Sequence, residues 1–62
     1  PREQALLQML TEAPEPLTLN RFTHLGRLPR HRAVRLLAQF IRFGLIEQRF
    51  VAHTFVYTAV SL

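Results

Sequence analysis

The chain contains no cysteine, no lysine and no aspartate. Without cysteine, neither a disulfide framework nor a thiolate zinc site can staple it. The same absence fits a cytoplasmic protein, nucleoid-associated if the source is bacterial. Glycine occurs twice and proline four times. Strong punctuation is therefore confined to Pro14 and Pro16, the stretch from Gly26 to Pro29, and Gly44. No apolar run approaches the roughly 20 residues that a membrane helix needs. Arg2 and Glu3 open an amphipathic segment where a signal peptide would need an apolar one. There is no internal repeat and no low-complexity tract. The chain starts at Pro1 and not at methionine, and it is expected to be a piece excised from a longer protein.

Catalysis also lacks its parts. The only carboxylates are Glu3, Glu12, Glu15 and Glu47, and the only serine is Ser61 with no patterned base. No glycine-rich phosphate loop exists. General acid–base chemistry needs positioned groups in a pocket, so an enzyme, a cofactor site and a small-molecule substrate are not expected. His24, His31 and His53 fall on three different segments without an i, i+4 pair, so no metal site is expected.

What is present fits one domain. A chain of 62 residues builds a single core. A chain this short hides only about 60% of its unfolded surface, so its stability is modest. The apolar share, 48%, is that of a globular protein and not of a disordered one. Eight arginines face four glutamates, for a net charge of +4. Arginine grips phosphate through paired hydrogen bonds and stacks on bases. A codon bias would explain arginine over lysine equally well, but not where the arginines sit.

Hydrophobic spacing predicts the elements. Leu6, Met9, Leu10 and Ala13 share one face of a helix over 2–13, which Pro14 and Pro16 end. Leu17 to Leu19 reads as a stub of strand, with Thr18 capping a second helix over 19–25. Leu19, Phe22 and Leu25 are expected to face inward, and Gly26 to stop the helix in the left-handed conformation. Pro29 suits the first position of a third helix, which runs to Phe43 before Gly44. Two β-rich runs, Leu45 to Val51 and Thr54 to Val60, flank Ala52 and His53 and predict a hairpin.

The third helix sorts its residues by kind. At roughly 100° per residue, His31, Arg32, Arg35, Gln39 and Arg42 fall within an arc of roughly 100°. Val34, Leu37, Phe40 and Ile41 lie across the wheel. The helix carries four arginines, Arg30, Arg32, Arg35 and Arg42, and no acid. A merely solvated helix tends to mix signs to avoid self-repulsion. The aromatic residues Phe40, Phe43, Phe50, Phe55 and Tyr57 are expected in the core, with Phe43 and Phe55 the ones whose exposure would mark a dimerisation or docking face.

The order helix, short strand, helix, helix, hairpin resembles the winged helix-turn-helix family. Leu17-Thr18-Leu19, Arg21-Phe22-Thr23 and Leu28 are similar to the first helix of that unit and its exit. Ala33-Val34, Leu37, Phe40 and Gly44-Leu45-Ile46-Glu47 are similar to a recognition helix running into the first wing strand. The resemblance covers nearly the whole chain and implies a single α+β, mainly α, domain. It departs in Phe22-Thr23, where Leu-Ala is common, and in a turn one residue longer than usual. The wing tip has no glycine and little basic charge, which argues against a wing that probes the minor groove. The resemblance implies a double-stranded DNA partner, with Arg30, Arg32, Arg35 and Gln39 nearest the bases and His31 and Arg42 on the same face. Arg21 and Arg27 would hold the backbone and Arg49 a flanking phosphate. The competing class is a protein-interaction or dimerisation winged helix, docking through Phe43, Leu45, Val51, Phe55, Val56 and Val60 as a homodimer or onto the parent protein.

Overall fold

A computed structural model describes residues 2–60 of the chain. Its first helix, α1, spans Arg2–Glu12 and turns Leu6 and Leu10 into the core. Met9 and Ala13 pack against them, as the spacing predicts. A two-residue strand, β1 (Leu17–Thr18), follows the proline pair. Thr18 then caps α2 (Leu19–Gly26): its Oγ1 accepts the Arg21 amide at 3.2 Å, satisfying a donor that the first helical turn leaves free.

The end of α2 corrects the sequence reading. The left-handed residue is Arg27, at φ 52° and ψ 48°, and Gly26 is the last helical residue. The Leu28 amide donates to the Thr23 carbonyl and the Arg27 amide to that of His24, the paired bonds of a Schellman cap. Gly26 serves close approach. A Cβ there would lie 2.8 Å from Cδ2 of buried Leu6. Arg2 adds a tie, its Nη2 donating to the Gly26 carbonyl at 2.8 Å and to that of Arg27 at 3.2 Å. Leu25, expected inside, is half exposed, and Leu28 packs on the core in its place.

The third helix, α3, spans Arg30–Arg42. Pro29 stands one position before it, and its carbonyl accepts the Arg32 and Ala33 amides. At the far end Gly44, at φ 73°, lets the Leu45 amide reach the Phe40 carbonyl at 2.9 Å. That second Schellman cap turns the chain into the hairpin, β2 (Ile46–Val51) and β3 (Thr54–Ala59). The three strands are antiparallel in the order β1-β3-β2, with Leu17 opposite Tyr57 and Phe50 opposite Phe55.

The core is Leu6, Leu10, Leu17, Phe22, Ala33, Leu37, Phe40 and Ile46. On α3 the buried stripe is Ala33, Leu37 and Phe40, at i, i+4 and i+7. Val34 and Ile41 stand at its margin and remain exposed, a rotation of the stripe relative to the sequence reading. The aromatic expectation holds for Phe40, while Tyr57 is half-buried. It fails for Phe43 (66% exposed), at the end of α3, and for Phe50 (62%) and Phe55 (49%), at the far end of the hairpin.

The hairpin turn carries a local cost. Ala52 and His53 both adopt positive φ, 51° and 65°, the signature of a two-residue type I′ turn. Residues with a Cβ pay about 1–2 kcal/mol each in that region, with asparagine less disfavoured and glycine free. The double change Ala52→Asn, His53→Gly is therefore expected to stabilise the domain by about 1–2 kcal/mol. A urea midpoint that stays put or falls would show that the turn stores no such strain.

Candidate nucleic-acid interface

The inward stripe of α3 dictates what its opposite face presents. His31, Arg32, Arg35, Gln39 and Arg42 are all exposed there. Arg35, Gln39 and Arg42 line a shallow depression with Ala38 and Phe43. Arg32, Arg35 and Gln39 also line a groove of about 310 Å³ between α3 and the start of α1, floored by Leu6, Leu28 and Leu36. Arg2 and Glu3 form its other lip. Arg2 thus joins the cationic face from a distant element. No sequence signal marks it, because its place depends on how α1 packs.

Among the described residues, no ion pair engages an α3 arginine. The one ion pair found joins Arg49 and Glu47 on β2 at 3.9 Å, with both side chains mostly exposed. Such a contact contributes little to stability, yet it places a carboxylate beside the guanidinium expected to meet a flanking phosphate.

The remaining expected contacts separate from this face. Arg30 lies on another side of the helix, where Nη1 donates to Asn20 Oδ1 at 3.3 Å. It lines a second groove with Asn20 and the β3 residues Thr54, Phe55 and Tyr57. Arg21 lines a third groove, beside Glu12 and Glu15. Arg27 is exposed in the turn between α2 and α3, its carbonyl held by Arg2. The structure therefore gathers His31, Arg32, Arg35, Gln39 and Arg42 into one surface and leaves Arg21, Arg27, Arg30 and Arg49 around it.

His24, His31 and His53 lie on α2, on α3 and in the hairpin turn. Among the described residues no three potential metal ligands come together, and no helix is long and apolar enough to cross a membrane. Ser61 lies outside the described residues.

Two solved structures are similar to this chain. Reduced HlyU from Vibrio cholerae matches with a TM-score of 0.81 and 28% identity, over 98% of this chain and 62% of that one. The fold is a winged helix-turn-helix. Human N-acetylserotonin methyltransferase in complex with SAM matches with a TM-score of 0.83 and 23% identity, over 98% of this chain and 18% of that one. The chain thus spans under two thirds of either protein, and the methyltransferase likeness concerns the fold alone. No protein-family model matches the chain, and comparison with curated protein sequences found no match. In the terms of this fold, α2 and α3 form the helix-turn-helix, with α3 in the position of its second helix, and the β2–β3 hairpin is the wing.

Proposed function

We propose that this domain binds double-stranded DNA, with the outward face of α3 in the major groove, as part of a transcriptional regulator or of a larger DNA-processing protein. One observation carries the reading. The exposed face of α3 holds Arg32, Arg35, Gln39 and Arg42 beside His31, with no acidic residue on the helix. The major groove, about 12 Å wide, admits one helix about 10–12 Å across. Arginine pairs bidentately with guanine and glutamine with adenine, so the side chains have the chemistry to read base edges. On this reading Arg2, Arg21 and Arg27 would meet phosphates. The likeness to HlyU supports the fold that such a mode requires.

Titration of the chain with a short duplex tests the proposal. Amide shifts in an NMR spectrum are expected to cluster on residues 31–42. Affinity is expected to fall as salt rises, with a log–log slope near −0.9 for each phosphate contacted. A spectrum unchanged by duplex at low salt would sink the reading.

The exposure of Phe43, Leu45, Val51, Phe55 and Val60 favours a second reading, a dimerisation or docking surface. A solution mass that rises with concentration while DNA leaves the spectrum unchanged would support it. Both readings hold together if the domain binds two half-sites as a dimer.

A further inference from the structure

The wing tip carries an aromatic surface that the α3 face does not use. Phe50 and Phe55 pair across the hairpin, with ring centroids 5.0 Å apart and planes at 61°, edge to face. Phe50 stands mostly in water and Phe55 about half so. Edge-to-face packing leaves ring faces open on the outside of the pair. Phe55 also borders the groove of about 290 Å³ that Arg30 lines from the start of α3. Asn20 Oδ1 holds that guanidinium through one nitrogen, and a guanidinium has five donors in all. The Thr54 and Tyr57 side chains add hydroxyls, and no carboxylate lines the groove.

One end of this groove therefore suits an anion, and the other suits a flat π-system. A nucleotide has both. A base inside an intact duplex cannot use the site, because its faces are covered by its neighbours. We infer that the groove between the wing and α3 receives an unpaired nucleotide at the edge of the duplex, its base stacked on Phe55, which Phe50 supports edge to face, and its phosphate at Arg30. The inference rests on the proposed reading of α3 as the duplex-binding helix. Two features favour nucleic acid over a protein occupant. Arg30 lines the groove with no carboxylate among the lining residues, and it stands at the start of α3. On this account the wing discriminates a junction of duplex and single strand from an intact duplex, and it does so by stacking rather than by minor-groove charge.

Fluorescence anisotropy with three labelled duplexes tests this: one blunt, one with a short single-stranded extension, and one with the same extension made abasic. The chain is expected to bind the base-bearing extension about tenfold more tightly than the blunt duplex. The abasic extension keeps the added phosphates and is expected to bind like the blunt duplex. The double variant F50L/F55L keeps apolar bulk on the hairpin while removing the ring faces. It is expected to lose the tenfold preference and retain blunt-duplex affinity, which also shows that it folds. Equal binding of the blunt and base-bearing duplexes by the unaltered chain overturns this inference and leaves the duplex reading intact. Failure to bind any of the three overturns both. A preference that survives in F50L/F55L, or that the abasic extension shares, assigns the effect to charge and removes the aromatic pair from it. A solution mass that drops in F50L/F55L with the preference unchanged assigns the pair to a protein interface.

Discussion

Arg35→Ala weakens binding to a preferred duplex by about 1–3 kcal/mol, roughly five- to 150-fold, and narrows the gap between preferred and unrelated sequences. The expectation follows from position. Arg35 stands at the centre of the exposed α3 face, bordering both the groove beside α1 and the depression with Gln39 and Arg42. Among the described residues, no hydrogen bond or ion pair ties its guanidinium to the domain. Its removal therefore subtracts from recognition without subtracting from the fold, and the thermal midpoint is expected to stay nearly constant. Arg21→Ala is the comparison. A phosphate contact from α2 carries no base information, so its loss weakens all duplexes alike and lowers the salt slope by about one. Titrating both variants against two sequences separates the roles. Small and equal effects of the two changes would take α3 out of the interface.

Phe22→Ala is expected to remove much of the domain's stability. Phe22 is 0% exposed, at the centre of an eight-residue core. Truncating a buried phenylalanine costs about 3–5 kcal/mol, through lost transfer energy and the cavity left behind. A domain of 62 residues has about 3–9 kcal/mol in total, at about 0.05–0.15 kcal/mol per residue. Phe43→Ala is the same chemical change at a residue 66% exposed, and its effect is expected within about 0.5 kcal/mol. Urea unfolding followed by circular dichroism measures both. A cooperative transition for Phe22→Ala near that of the unaltered chain would mean the core does not depend on this ring.

The elements were legible because local signals agreed. Leu6 and Leu10 recur at helical spacing, Thr18 offers a capping hydroxyl, and Pro29 and Gly44 bracket α3. The strands followed from β-branched and aromatic runs on either side of Ala52 and His53. The errors fell where a tertiary contact overrode a local preference. Glycine at position 26 suggested a left-handed stop. Instead Gly26 lets Leu6 approach closely, where a Cβ would force the Leu6 side chain to shift, and the left-handed residue is Arg27. Phe50 and Phe55 read as core by composition, yet they stand exposed at the far end of the hairpin.

The cationic face was half legible. Periodicity put His31, Arg32, Arg35, Gln39 and Arg42 on one side of α3 before any packing was known. The same wheel sets Arg30 on the other side of the helix, but it could not show that Asn20 would hold it there, or that Arg2 would meet the cationic side across a groove.

From the order of residues alone came the number and kind of elements, the caps at Thr18 and Gly44, and the separation of most guanidinium groups from apolar side chains along α3. These depend on neighbours within about one helical turn, which chain connectivity imposes. Which aromatics are covered, which arginines share a groove, and whether glycine is kept for its conformation or for its size were decided only when α1, α3 and the sheet closed on one another. Those outcomes depend on atoms far apart in the chain, and spacing along a sequence carries no distance between them.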